Sequence, residues 1–173
     1  MSFIARLFRQ DKTPQQLYSA ILSASRQTAL YQQPGGVPDT VEGRFELLCL
    51  HLWVVLRVLG QGSNTGQTLF NIFCADLDAS ARELGVGDLS VGKKVKAMVA
   101  VFYGRALQYD AARTDVPSFI TALQRALPEL SDEKARNIAL AIAGYEDRWR
   151  VVLAKPVVAT ASFPQTLLET AAA

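Results

Sequence analysis

The stretch FELLCLHLWVVLRVL, residues 45–59, decides the fold that we expect for this chain. Only Glu46, His51 and Arg57 interrupt its apolar side chains, so a helix built from it has almost no face suited to water. A membrane span needs about 18 or more consecutive apolar residues. Because this stretch is shorter and carries charges, it predicts the buried central helix of a helical protein.

The segments on either side of this stretch also have the pattern of helices. Their apolar residues recur at steps of three and four, and no segment alternates convincingly at steps of two. The clearest row is Val91, Val95, Met98, Phe102, Ala106 and Tyr109. A first helix is predicted from Thr13-Pro14, with a row of Leu17, Ile21, Ala24, Thr28 and Tyr31. Further helices are predicted to begin near Asp39, after the turn 60–66, at Asp88 or Ser90, after Pro117 and at Ser131.

These patterns predict a single compact all-α domain of five to seven helices over residues 13–155. The chain has 173 residues, of which 50% are hydrophobic, so it is long enough to bury roughly 70% of its extended-chain surface. We expect residues 1–12 to be a short basic amphipathic segment and residues 156–173 to be a mobile tail.

The charge and cysteine content narrow the class of protein. The chain has 18 Lys and Arg and 16 Asp and Glu, so its formal net charge is only +2. This net charge is too small to bind duplex DNA. Cys49 and Cys74 each lie in an apolar stretch, which is typical of core residues in a reducing compartment. The first ten residues lack the apolar run of a secretory signal, so we expect a cytoplasmic location.

Motifs that would support catalysis are weak. Residues 87–93 match the spacing of a phosphate-binding loop, but Lys94 stands where a magnesium-binding hydroxyl is needed, so the glycines are better explained as a turn between helices. Asp76 and Asp78 point in different directions on a helix and cannot share a metal. His51 is the only histidine, and a core or interface role suits it better than catalysis. We therefore expect no enzyme activity, metal or cofactor, with an enzyme of unrecognised type as an alternative.

One local patch is basic. The stretch from Lys93 to Arg105 contains four cations and no acid. It could be a solvated helix face, or it could contact lipid headgroups, RNA or an acidic segment of a partner.

Two blocks of sequence resemble the ubiquinol-cytochrome c chaperone family. The first consists of Arg26, Tyr31, the run GVPDTVEGRFE at 36–46, and Leu50-His51. The second consists of Asp76 and Asp78, the run RELGVGDLSVGK at 82–93, Met98, the run FYGR at 102–105, and Tyr109. The likeness covers roughly residues 13–150, and two long blocks in the right order are more specific than any single motif.

The resemblance implies a non-enzymatic assembly factor for the complex that oxidises ubiquinol and reduces cytochrome c. Mitochondrial members bind newly made cytochrome b near the ribosome exit tunnel and pair with a small helical partner, and this chain resembles the alphaproteobacterial type. The resemblance thereby predicts that the client of this chain is cytochrome b. Further partners to consider are the ribosome, the anionic inner face of the inner membrane, a second copy of the chain, or a small helical protein.

A chaperone for an apolar helical client needs an apolar groove with a polar rim. We expect this groove between the second and fourth predicted helices. The candidate partner-binding residues are Asp39, Arg44, His51, Asp76, Asp78, Asp88, Lys93, Lys94, Lys96, Phe102 and Arg105. The acids and arginines among them could equally form an ion-pair network between helices. A helical RNA- or ribosome-binding module that uses Lys93 to Arg105 is the alternative function.

Overall fold

Seven α-helices account for the regular structure of residues 13–154, the part of the chain that the computed structural model describes. They are α1 (Thr13–Ser25), α2 (Thr28–Tyr31), α3 (Val41–Leu59), α4 (Asn64–Glu83), α5 (Asp88–Ala112), α6 (Val116–Ala126) and α7 (Asp132–Leu153). The prediction of an all-α domain with five to seven helices is confirmed. The predictions for residues 1–12 and 156–173 lie outside the described residues.

Helix α3 is the central element of the fold, as predicted. It packs against α1, α4, α5 and α7, and every residue from Glu46 to Val55 is buried. Burial on all faces explains why its sequence is nearly continuously apolar instead of amphipathic. Between residues 13 and 154, no helix is both long and apolar enough to cross a membrane.

Two clusters of aromatic rings fix the position of α5. The first, between α4 and α5, contains Phe70, Phe73 and Phe102. The second, between α3, α5 and α6, contains Trp53, Tyr109 and Phe119. Ring centroids in both clusters are 5.3 to 5.9 Å apart, the range of favourable tilted contacts. The predicted row of α5 therefore faces the core, and the opposite side of this helix faces water.

The first helix is shorter than its apolar row predicts. Helix α1 ends at Ser25, and α2 is a separate single turn. The Tyr31 hydroxyl donates a hydrogen bond of 2.8 Å to the carbonyl oxygen of Ser25, one of the carbonyls that the end of a helix leaves without a partner. A local hydrogen bond between residues six positions apart thus stabilises a break that periodicity alone does not reveal.

The start of α3 differs from the prediction in its capping residue. The Thr40 hydroxyl accepts a 3.1 Å hydrogen bond from the Gly43 amide, so Thr40 is the N-cap and Asp39 is not. The Asp39 carboxylate instead pairs with Arg44 at 2.6 Å. The predicted start of the last helix at Ser131 is confirmed, and Ser131 is its N-cap, since its hydroxyl accepts from the amide three residues later.

The turns before and after α4 differ from the prediction in detail. Helix α4 begins at Asn64 with Ser63 as its N-cap, so the predicted turn over residues 60–66 ends earlier. Helix α5 begins at Asp88 after Gly87, and neither Asp88 nor Ser90 supplies a side-chain cap. Gly87 is the N-cap of α5. Its backbone is extended, and it has no side chain that could cap the first turn.

Candidate functional site

A groove of about 660 Å³ lies between the C-terminal half of α3, the N-terminal half of α4 and the second half of α5. We call it the α3–α5 groove. Its apolar wall is made by Trp53, Leu56, Phe70, Phe102, Tyr103 and Leu107. Tyr103 and Leu107 are 53% and 71% exposed, so this wall continues onto the surface of α5. The sequence predicted a groove flanked by its second and fourth helices, which are α3 and α5 in the structure.

The turn between α3 and α4 lines one end of the groove. Gly60 and Gly62 both have φ near +80°, a conformation that glycine adopts without strain. A side chain on either glycine would meet nothing within 4 Å, so this end is open to solvent. The groove therefore has room for a ligand longer than its enclosed part.

A polar cluster at the rim was missed by the sequence reasoning. Asp110 accepts hydrogen bonds from the indole nitrogen of Trp53 at 3.2 Å and from Arg57 at 2.7 Å. The Nε of Arg57 also lies 3.3 Å from the carboxylate of Glu146 on α7, which is buried. Arg57, the last charge in the central apolar stretch, was the one sequence signal for this cluster. Its partners are too distant along the chain to be recognised by spacing.

The predicted acids and arginines do not converge on one rim. Asp39 and Arg44 form an exposed pair near the start of α3. Asp76 accepts a 2.7 Å hydrogen bond from the Tyr18 hydroxyl, which joins α4 to α1. Burial, together with this hydrogen bond, raises the pKa of Tyr18 well above its usual value.

Two further acids of the predicted set share one arginine. Arg82 pairs with Asp78 at 2.7 Å and also with Asp88, so the end of α4 is joined to the start of α5. The hydrogen bond that Arg82 donates to the Asp78 carboxylate raises the pKa of its guanidinium. These acids stabilise helix ends and turns, which agrees with the network interpretation at this position.

Arg105 is also part of a network between helices. Its guanidinium binds the carboxylate of Glu46 on α3, an acid that the sequence did not single out. The hydrogen bonds that Arg105 donates to the Glu46 carboxylate raise the pKa of its guanidinium. Arg105 thus positions α5 against α3, and its side chain does not line the α3–α5 groove.

His51 and Phe102 are core residues. His51 is fully buried, and its Nδ1–H donates a 2.8 Å hydrogen bond to the Leu47 carbonyl oxygen. Burial lowers the pKa of His51 to about 4, so the imidazole is neutral near pH 7. Phe102 is 3% exposed and reaches the groove only at its floor. Neither residue belongs to the outer surface that a partner would first meet.

The three predicted lysines lie on the surface of α5. Lys93, Lys94 and Lys96 are all exposed, and among residues 13–154 none of them forms an ion pair. The phosphate-loop spacing at 87–93 follows helix α4 and no strand: Gly87 is the N-cap of α5, whereas Gly92 lies inside α5 and not in the predicted turn. In the described part of the chain, no three His, Cys, Asp or Glu side chains come together as a metal site would require.

Comparison with known proteins agrees with this architecture. Residues 33–155 match the sequence profile described as ubiquinol-cytochrome C chaperone. The crystal structure of the Cbp3 homolog from Brucella abortus is similar to this chain, with a TM-score of 0.72 and 33% sequence identity over 86% of this chain and 88% of that chain. No curated protein matches the chain significantly. Because the profile covers well over half of the sequence, the chain belongs to the ubiquinol-cytochrome c chaperone family.

Proposed function

We propose that this chain is a non-catalytic assembly factor for the ubiquinol-cytochrome c reductase complex, and that it holds an apolar helix of newly made cytochrome b in the α3–α5 groove. Membership of the chaperone family supports the general role. The observation that carries the choice of client site is the apolar wall of the groove, which continues onto exposed side chains of α5.

The groove has the properties that a helical client requires. An amphipathic or apolar helix binds a groove through side chains three and four positions apart, each of which inserts into apolar surroundings. Tyr103 and Leu107 are themselves four residues apart on α5 and present such a ridge at the open edge of the groove. Trp53 and Phe70 supply the wall behind it.

The rim of the groove favours release as well as binding. Arg57 and Asp110 are already paired with each other at the rim, and neither is fully buried. A client helix can therefore cover the apolar wall without leaving an unpaired charge beneath it. Binding that rests on a few apolar contacts is reversible, as a holding step before assembly demands.

The proposal is tested with a cytochrome b helix-hairpin peptide in zwitterionic nanodiscs. Leu107→Asp should weaken binding of this peptide by about 1 to 3 kcal/mol, roughly 5- to 150-fold, because a carboxylate must be desolvated against the apolar wall. The matched control is Leu140→Asp on α7, since Leu140 is also exposed, at 61%, and lies outside the groove. Equal losses from the two variants would refute the groove as the client site.

Salt dependence separates this function from binding of RNA or ribosomes. An apolar groove should bind the peptide with nearly the same affinity as salt rises, whereas phosphate contacts weaken steeply. We further propose that the chain works at the inner face of the inner membrane, where cytochrome b is inserted. A second copy of the chain, a small helical partner and the ribosome stay predictions for the remaining surfaces.

A further inference from the structure

One face of α5 points to a second interaction surface. Six residues at successive steps of four and three lie along the side of this helix that faces water, and we call them the outer stripe. They are Leu89, Lys93, Lys96, Ala100, Tyr103 and Leu107. All six are exposed, and Leu89 is as exposed as a leucine in an extended chain. At 1.5 Å per residue the stripe is about 27 Å long.

The orientation of the outer stripe is fixed by the opposite face of the helix. Val91, Phe102 and Tyr109 are buried in the core, so α5 cannot rotate to hide its exposed leucines. Monomeric proteins seldom place large apolar side chains in a row on their surface without a partner. Leu89 and Leu107 mark the two ends of such a row, and Tyr103 lies between them.

The charge of the outer stripe identifies the kind of partner. Lys93 and Lys96 are its only charged residues, and no acid of the described residues pairs with them. The nearest acids on α5, Asp88 and Asp110, are engaged by Arg82 and Arg57. A surface that combines free cations with exposed leucine and tyrosine matches an anionic lipid bilayer, whose headgroups bind ammonium groups and whose interface accepts aromatic rings.

We propose that the outer stripe of α5 binds flat on the surface of an anionic phospholipid bilayer. Leu89, Tyr103 and Leu107 enter the boundary between headgroups and acyl chains, and the two lysines contact lipid phosphates while their methylene stems cover apolar surface. Tyr103 and Leu107 also form the open edge of the α3–α5 groove. When the outer stripe is bound to the bilayer, the open edge of the α3–α5 groove lies at the membrane surface, where an apolar helix leaves or enters the bilayer.

This binding does not require a client, so it can fail while client binding in the α3–α5 groove holds. The test uses the full chain and sedimentation with vesicles of phosphatidylglycerol and phosphatidylcholine, compared with vesicles of phosphatidylcholine alone. Lys93→Ala with Lys96→Ala should lower the partition coefficient for the anionic vesicles about 30-fold, about fivefold for each lysine. The loss should shrink as salt rises.

The matched control removes the same charge elsewhere. Arg125→Ala with Arg136→Ala changes exposed cations on α6 and α7 and should lower the partition coefficient at most a few-fold. If the two double variants lose binding equally, only net charge matters and the outer stripe is not the site. If the native chain binds the anionic vesicles no better than those of phosphatidylcholine alone, the proposal is wrong.

A third variant tests the apolar part of the stripe. Leu89→Ser removes a side chain without changing charge, at a position far from the groove. We expect it to lower vesicle binding about tenfold and to leave binding of the cytochrome b peptide unchanged. Unchanged vesicle binding would overturn the inserted geometry. Loss of the peptide together with the vesicles would instead assign the stripe to the client. Circular dichroism and thermal melting exclude unfolding in each case.

Discussion

Arg105 on α5 donates hydrogen bonds to both carboxylate oxygens of Glu46 on α3, with its Nε 2.9 Å from Oε2 and its Nη2 2.8 Å from Oε1. The two side chains are 20% and 10% exposed, and they lie 59 positions apart in the sequence. A bidentate pair with little exposure specifies both the distance and the rotation between two helices. The pair therefore fixes how α5 packs against α3 beside the groove.

Breaking this pair should be costly for stability. Arg105→Ala leaves the Glu46 carboxylate with little solvent and no cation, so we expect the free energy of unfolding to fall by about 2 to 4 kcal/mol. Urea denaturation monitored by circular dichroism measures the change. Arg44→Ala is the matched control, because Arg44 and Asp39 form an exposed pair that should contribute little. Similar losses from both variants would show that the Arg105 pair has no special role.

The N-cap of α3 can be tested by two neighbouring substitutions. Thr40→Ala removes the hydroxyl that accepts from the Gly43 amide and should lower the free energy of unfolding by about 1 kcal/mol. Asp39→Ala should have a clearly smaller effect, since its carboxylate pairs with Arg44 on the surface. Chemical denaturation of the two variants decides between them. A larger loss from Asp39→Ala would restore Asp39 as the cap.

Two glycines in helices should respond in opposite ways to alanine. A Cβ on Gly43 would lie 2.1 Å from the carbonyl oxygen of Pro38, a backbone atom that cannot easily move. Gly43→Ala should therefore destabilise the fold by roughly 1 to 3 kcal/mol. A Cβ on Gly104 in α5 would meet nothing within 4 Å, so Gly104→Ala should stabilise by about 0.5 to 1 kcal/mol. Melting temperatures that move in the same direction would contradict this.

The buried His51 predicts a specific pH dependence of stability. Burial lowers its pKa from 6.5 to about 4 in the folded protein. Between these values the unfolded chain binds a proton that the folded chain does not, so stability should fall as pH decreases through this window and level off below it. The shift corresponds to about 3 kcal/mol.

The measurement compares the native chain with His51→Leu by urea denaturation at several pH values from 7.5 to 4. Carboxylates titrate in both proteins and largely cancel in the difference, which isolates the imidazole. The stability of the native chain should decrease more steeply than that of the variant below pH 6.5. Parallel curves would mean that His51 takes up a proton in the folded state as easily as in the unfolded state.

The sequence alone determined the features that depend on local chemistry and on the amount of apolar surface. The nearly uninterrupted apolar stretch 45–59 has no polar face, and a helix of that kind must lie at the centre of the fold. The row on α5 and the start of α7 at Ser131 depend on neighbours within a few residues, so the sequence pattern was enough to find them. The family blocks likewise lie in contiguous sequence.

Only the tertiary structure decided which charges meet and where the groove has its rim. Glu46 forms an ion pair with Arg105, and Arg57 forms ion pairs with Asp110 and Glu146. These pairs join helices that are distant in sequence. Periodicity shows which face of a helix is buried, but it does not show which helix lies opposite. Ion pairs and grooves depend on that second fact, because each side chain becomes a partner only when packing brings it within a few ångströms of another.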